Sequence, residues 1–267
     1  MQKVLLEEMS WDEVGKVLPN VKVGFVPVGS TEQHGWHLPL FTDSLCASAV
    51  SKRVAEKLYP RAIVAPLLPV GVSFHHMRFP GSLTIRESTL IEYAIDMAYS
   101  FKHYGVDFVA FINGHWGNKT PLAHATAKIR RELGIKSLYI SYWDVYPKEH
   151  ASLIEDGEIP DHAGEFETSE IMSVRPDLVK KNRFKRRADA FTLDRKMYDL
   201  LLAADDQFPL FGQSKDGVFY GNPERSTAEK GSKIIELVSD GLAKFFEELF
   251  TTYNAPQKYL GIAPSTE

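Results

Sequence analysis

Three segments of the chain combine carboxylates and imidazoles at spacings that suit a metal centre. In the first segment, Glu32 and His34 are two residues apart, and Asp43 follows them. In an extended segment, residues i and i+2 point to the same side, so a carboxylate and an imidazole would face one point. Asp43 would add a third donor, although an acid here also suits a helix cap. Donors of these types are suitable for Zn²⁺, Mn²⁺ or Fe²⁺.

The other two segments add histidines and further acids. His115 follows an apolar run and is flanked by glycines that allow tight turns. His162 precedes an Ala-Gly pair, whose small side chains would let the imidazole approach a substrate or another chain. Glu165 and Glu167 would lie about 200° apart on a helix, so we expect only one of them to face the site. Acids in a first helical turn are also favoured by the helix dipole.

The elements that must position these residues alternate between strands and helices. Continuous apolar runs predict buried strands at 21–28, 62–70, 107–113 and 137–143, separated by helices at 43–58, 86–104 and 119–133. This alternation predicts a parallel sheet with helices on both faces. The segments of Glu32 and His115 each follow a strand, and ligands gather at the carboxyl ends of such strands. His115 would therefore join the first cluster if the two strands are neighbours.

The second half of the chain has a less regular pattern. We expect a helix from about Glu165, another at about 193–203, and a third that begins at Asn222-Pro223-Glu224 and runs to about 251. The residues from about 255 are expected to form a loose tail or an arm over a neighbouring subunit.

Composition excludes several classes of protein. The 267 residues are 44% apolar and carry a formal net charge of −4, which argues against disorder and nucleic-acid binding. The basic run at 180–187 is interpreted as a solvated loop in preference to a polyanion site. The only cysteine, Cys46, permits neither an intrachain disulfide nor a cysteine-based zinc site. Because signal-peptide and membrane-spanning patterns are missing, we expect a soluble cytoplasmic protein.

Taken together, the three segments resemble the creatininase (creatinine amidohydrolase) family. The motifs that carry this resemblance are Gly29-Ser-Thr-Glu-Gln-His-Gly-Trp-His-Leu-Pro39 with Thr42-Asp43, Asn113-Gly-His115 with Asn118, and His162-Ala-Gly164 with Glu167-Thr-Ser169. Weaker matches are His76-x-x-Phe79-Pro-Gly81, Gly221-Asn-Pro223 and Ala228-Glu-Lys-Gly231. The matches follow the family's order over about residues 20–235.

The resemblance implies a three-layer α/β/α fold with a mostly parallel central sheet, formed by residues 1–267 as a single domain. It also implies two divalent metal ions, with Zn favoured and Mn or Fe as alternatives. Glu32 and His34 would each hold one ion, Asp43 would bridge the two, and His115 would complete the first site. The family further implies a ring-shaped homo-oligomer, commonly a hexamer, that acts on a small-molecule substrate.

Two departures from creatininases proper concern the second ion and the substrate. Creatininases proper have a glutamate two residues after the equivalent of His115, where this chain has Gly117, so Glu167, with Glu165 as the alternative, is expected to supply the ligand. They also have a tryptophan in the flap before the His-Ala-Gly motif, and residues 156–161 contain none. Both departures argue against creatinine as the substrate. Other branches of the family act on formamides of ring-opened purine-like nucleotides or on peptides.

The predicted function is hydrolysis of a non-peptide C–N bond, in a cyclic amide or a formamide, by hydroxide activated at a dinuclear centre. We assign His162, which would give a proton to the leaving nitrogen, and Glu165 to the catalytic group, and Glu167 to the metal ligands. Two alternatives remain at this stage: a metal-binding family member with reduced catalysis, consistent with Gly117, and a metal-dependent phosphoesterase with the same ligand types.

Overall fold

A four-stranded parallel sheet forms the centre of the computed structural model, which describes residues 3–155, 161–184 and 221–252. The strands are β1 (Val23–Val28), β2 (Ala62–Val64), β3 (Phe108–Asn113) and β4 (Lys136–Ser141). Their spatial order is β2-β1-β3-β4, and every pair is parallel. Strand β1 is therefore hydrogen-bonded on both sides, and β3 is its neighbour.

Helices cover both faces of this sheet. They are α1 (Trp11–Val17), α2 (Thr42–Leu58), α3 (Glu87–His103), α4 (Lys119–Lys128), α5 (Glu165–Val174) and α6 (Ala228–Thr252). Phe25 and Ile112 belong to the core under α2, α5 and α6, whereas Val26 and Phe111 belong to the core under α3 and α4. Alternate strand residues are thus buried on opposite faces, which explains the continuous apolar runs. The predicted three-layer α/β/α fold is confirmed.

Several boundaries differ from the predicted ones. Strand β2 ends at Val64 because Pro66 and Pro69 lack the N–H that a strand must donate, and an isolated bridge between Val28 and Leu68 continues the pairing. Strand β4 ends at Ser141, where a 3₁₀ turn begins.

The predicted helix start at Asn222 is instead the cap of a short 3₁₀ turn, Pro223–Arg225, in which Asn222 Oδ1 accepts a hydrogen bond from Glu224 N at 3.0 Å. Helix α6 begins after this turn, at Ala228. The predicted helix at 193–203 and the tail from 255 lie outside the described residues. Within the described ranges, no helix has both the length and the apolar character needed to span a bilayer.

Two adjacent phenylalanines of α6 provide a matched test of the core beneath this helix. Phe246 is fully buried, and its ring lies 4.9 Å from that of Phe25 and 5.8 Å from that of Phe108, whereas Phe245 is 37% exposed. We expect Phe246→Ala to lower the free energy of unfolding by about 3–5 kcal/mol because it leaves a cavity between helix and sheet. Phe245→Ala, measured by urea denaturation beside it, should cost much less. Equal losses would contradict this packing.

Candidate metal centre

The candidate centre lies where β1 and β3 end. Val28 pairs with Asn113 in the sheet, and Gly114 N donates to Val28 O at 2.8 Å, so the loops that follow the two strands leave the sheet side by side. A Cβ atom on Gly114 would lie 2.4 Å from Asp43 O. Only glycine therefore allows this loop to pack against the first turn of α2, which carries Asp43.

Asp43 lies between two imidazoles. Its Oδ1 is 2.9 Å from His34 Nε2, and its Oδ2 is 3.0 Å from His115 Nδ1. Glu32 Oε2 lies 3.4 Å from His115 Nε2, and one donor atom each from Glu32, His34 and Asp43 lie within 4.8 Å of one another. All four side chains are buried. His115 lies next to the first segment, as predicted, because β1 and β3 are adjacent strands.

The first turn of α5 brings Glu167 to the same ring nitrogen of His34 that Asp43 faces. Glu167 Oε2 lies 3.5 Å from His34 Nε2 and accepts a hydrogen bond from Ala163 N at 2.6 Å. The carboxylate of Asp161 accepts from Phe166 N at 2.7 Å and from Glu167 N at 3.2 Å, which fixes the start of the helix.

Glu165 points away from this cluster. Its buried carboxylate accepts a hydrogen bond from Lys230 Nζ of α6 at 2.5 Å, and its main-chain oxygen accepts one from Ser169 Oγ at 2.6 Å. The structure therefore brings Glu167, but not Glu165, together with the other predicted ligands, and it places Glu165 at the contact between α5 and α6.

Position 117 has no room for a side chain. A Cβ atom on Gly117 would lie 2.2 Å from Val72 O and 2.8 Å from His115 Nε2. A glutamate could be placed here only if the main chain moved. A carboxylate next to His34 must therefore come from another element, and Glu167 of α5 lies there.

His162 and three residues outside the predicted set line the same pocket. His162 Nε2 lies 3.0 Å from both Gln33 Nε2 and Gln33 O. His76 Nε2 lies 3.3 Å from Glu32 Oε1, and the His75 ring is stacked on that of His115 at 5.5 Å. Sequence reasoning missed Gln33 and His75 as site residues and noted His76 only as a weak family match. The adjacent histidines before a Pro-Gly turn were the available signal.

His37, which follows the first cluster, has a contact of another kind. Its Nε2 lies 3.0 Å from Thr168 Oγ1 of α5, and the ring is buried. Burial and the nearby positive charge of His34 lower the pKa of His37 to about 4, so the ring is neutral. His37 therefore links the first segment to α5, the helix that carries Glu167.

Burial and close charges strongly shift the titration of the central groups. Burial raises the pKa of Glu32 to about 7. Burial opposes protonation of His34 and His115, but the nearby carboxylates prevail: Asp43 and Glu167 raise the pKa of His34 well above its usual value, and Glu32 and Asp43 raise that of His115 to about 9. The positive charges of the two protonated rings therefore compensate the negative charges of the buried carboxylates.

The donor atoms also satisfy a test for a divalent cation. Glu32 Oε2, His34 Nε2 and Asp43 Oδ2 are buried, and within the described ranges their close contacts are with one another's rings and carboxylates, at angles that depart from regular hydrogen bonds. Buried polar atoms normally form regular hydrogen bonds. Carboxylates and imidazoles that converge in this way fit the ligand chemistry of Zn²⁺ or Mn²⁺.

Comparisons with known proteins identify relatives over almost the whole chain. The family model Creatininase, described as creatinine amidohydrolase, matches residues 7–246. Creatinine amidohydrolase of Pseudomonas putida is 29% identical over 93% of this chain and 98% of its own. The mycofactocin precursor peptide peptidase of Mycolicibacterium smegmatis is 31% identical over 84% of this chain and 83% of its own.

Solved creatininase structures share the fold. A mutant creatininase complexed with creatine superposes with a TM-score of 0.80 at 28% identity and covers 93% of this chain and 99% of its own. A manganese form has a TM-score of 0.76 and a mutant of Zn-Zn type one of 0.78, both at 27% identity, with 93% and 94% of this chain and 99% of each neighbour covered.

The shifted groups predict how zinc binding depends on pH. Below about pH 7, Glu32 holds a proton in the metal-free protein; His115 holds one up to about pH 9, and the pKa of His34 is raised well above its usual value by Asp43 and Glu167. A cation must displace these protons, so zinc affinity should rise as the pH rises from about 6 to about 9. Calorimetry in buffers of different ionisation enthalpy counts the protons released. His124→Ala, which removes an exposed imidazole of α4, should leave the count unchanged. Affinity that does not vary with pH would refute this electrostatic assignment.

Proposed function

This chain belongs to the creatininase family and is a hydrolase of carbon–nitrogen bonds, and from this premise we propose that it works with two divalent metal ions. One ion would be held by Glu32, Asp43 and His115, and the other by His34, Asp43 and Glu167. Zn²⁺ is the favoured metal, with Mn²⁺ or Fe²⁺ as alternatives.

The observation that carries this proposal is the position of Asp43. Each of its two oxygens faces a different imidazole, His34 on one side and His115 on the other. A carboxylate so placed can give one oxygen to each of two cations. Glu167 would provide the carboxylate that Gly117 lacks, and its position beside His34 supports a working centre over a family member with reduced catalysis.

The residues of the pocket would have different roles in the proposed reaction. Divalent ions held here would supply Lewis acidity, which polarises a carbonyl and lowers the pKa of water from 15.7 towards about 7. Asp43 belongs to α2 and Glu167 to α5, two helices on the same face of the sheet, so these helices position the two carboxylates. The loops and helices around the cluster bury it and limit the access of bulk water.

His162 is suited to proton transfer at its Nε2 atom. Burial, together with the positive charge of His34, keeps the pKa of His162 well below its usual value, so the resting ring is neutral. Gln33 offers both a side-chain N–H and a main-chain oxygen 3.0 Å from Nε2. The bare nitrogen can accept from the first, and the protonated nitrogen can donate to the second. We propose that His162 takes up a proton at Nε2 and gives it to the leaving nitrogen.

For the substrate, we propose a non-peptide amide, either cyclic or a formamide. Position 117 differs from creatininases proper, and this disfavours creatinine itself. A peptide is the second candidate, since a peptidase is 31% identical over 84% of this chain. A panel of creatinine, formamido-pyrimidines, cyclic imides and short peptides separates these classes.

The two glutamates of α5 provide a matched pair of variants. Glu167→Gln should lose about one of two zinc equivalents, measured by elemental analysis after dialysis, because it weakens the ligand beside His34. Glu165→Gln should keep both equivalents, because its partner Lys230 retains Glu155 at 2.7 Å and the fold survives. Loss of zinc from the Glu165 variant alone would reverse the assignment.

The proposed hydrolysis is tested with the same panel and the metal-replete protein. We expect turnover of at least one amide, abolished by a chelator and restored by Zn²⁺ or Mn²⁺. His162→Ala should keep its zinc and lose about 10²- to 10⁴-fold in turnover, which is the usual contribution of a positioned proton donor. Turnover that survives complete removal of metal, or that is undiminished in the His162 variant, would refute the mechanism.

A further inference from the structure

A buried chain of hydrogen bonds connects the main chain at Gly35 to two histidines of the pocket. Gly35 N donates to Gln33 Oε1 at 3.0 Å, which fixes the orientation of the side-chain amide. The amide nitrogen of Gln33 therefore points the opposite way, 3.1 Å from His76 Nδ1 and 3.0 Å from His162 Nε2. The side chains of Gln33, His76 and His162 are all buried.

The direction of these bonds determines where His76 carries its proton. An amide nitrogen donates and cannot accept, so His76 Nδ1, which faces it, must be an acceptor. His76 then has a bare Nδ1 and carries its proton on Nε2. His162 Nε2 also faces the main-chain oxygen of Gln33 at 3.0 Å, so it can accept from the amide when bare and donate to this oxygen when protonated. The two hydrogens of one amide group serve the two rings.

The proton on His76 faces a proposed metal ligand. His76 Nε2 lies 3.3 Å from Glu32 Oε1, while Glu32 Oε2 lies 3.4 Å from His115 Nε2. One oxygen of Glu32 therefore faces His76, and the other faces His115, a proposed metal ligand. An N–H directed at the outer oxygen of a ligating carboxylate holds that carboxylate in place and tunes it.

We propose that Gln33 is a positioning residue: it sets the tautomer of His76, orients Glu32 towards the metal through His76, and holds the ring of His162 in place. The role of Glu32 in this inference rests on the proposed function. Gln33 touches neither the cations nor the scissile bond. It acts through the two histidines.

A second interpretation of the same residues is a further metal position. Glu32, His76 and His162 each offer a donor atom, and these atoms lie within 4.8 Å of one another. A ring nitrogen binds a metal through its lone pair, however, and a protonated Nε2 has none. The bond from Gln33 to His76 Nδ1 therefore favours a hydrogen-bond donor at His76 over a metal ligand.

Neutron diffraction from the deuterium-exchanged, zinc-loaded protein tests the tautomers directly, because it locates protons that X-rays do not show. We expect deuterium on His76 Nε2 and none on His76 Nδ1. Deuterium on Nδ1, or a metal ion on Nε2, would overturn the proposal. The map requires no turnover, so the tautomers can be decided even if the proposed hydrolysis fails.

A pair of variants at His76 tests the effect on Glu32. His76→Gln keeps an N–H near the position of Nε2, whereas His76→Leu removes it. Zinc affinity, measured by competition with a chromophoric chelator, should fall by about 10- to 100-fold in the Leu variant and stay close to that of the unchanged protein in the Gln variant. Equal affinity in both variants, or an equal loss in both, would refute the positioning role. Failure of the unchanged protein to bind zinc would instead count against the proposed function, and the neutron map would still decide the tautomers.

Discussion

The buried carboxylate of Asp43 between two imidazoles is the interaction on which the site depends. Three carboxylates, Glu32, Asp43 and Glu167, are in contact with the two rings in a region that is largely shielded from water. Ions that leave water must be compensated by nearby opposite charge. Protons on His34 and His115 provide that charge in this chain, and under the proposed function divalent cations would provide it instead. The buried carboxylates are therefore stable only beside positive charge, and the surrounding fold holds these groups in contact.

The carboxylate next to His34 comes from a part of the chain far from Gly117, the position where creatininases proper have a glutamate. Gly117 packs so tightly against Val72 O that no side chain fits there. Helix α5 approaches from another part of the chain and supplies Glu167 instead, held by the N–H of Ala163. The ion pair of Glu165 with Lys230 fixes the same helical turn to α6. Under the proposed assignment, a motif that lacks a ligand in the sequence would be completed by a residue from a distant helix.

The fold was predictable because burial on both sheet faces leaves continuous apolar runs, and because glycines and prolines mark the ends of elements. Strand order was not predictable from such runs, so the contact between His115 and Asp43 depended on an assumption that β1 and β3 are neighbours. The choice between Glu165 and Glu167 could not be made either, because Lys230, which pairs with Glu165, lies 65 residues further along the chain. Gln33 and His76 were not predicted as site residues because their proposed roles depend on the direction of single hydrogen bonds.

The pocket contains five buried or half-buried imidazoles with different electrostatic environments, and proximity to Asp43 distinguishes them. His34 and His115 touch its carboxylate, and their pKa values are raised despite burial. Burial dominates at His75, where it lowers the pKa to about 3, and at His76 and His162, where the pKa falls well below its usual value. The neighbouring positive rings add to this effect. One residue type is therefore found in two charge states: the rings that touch Asp43 hold protons, and the rings further from Asp43 stay neutral.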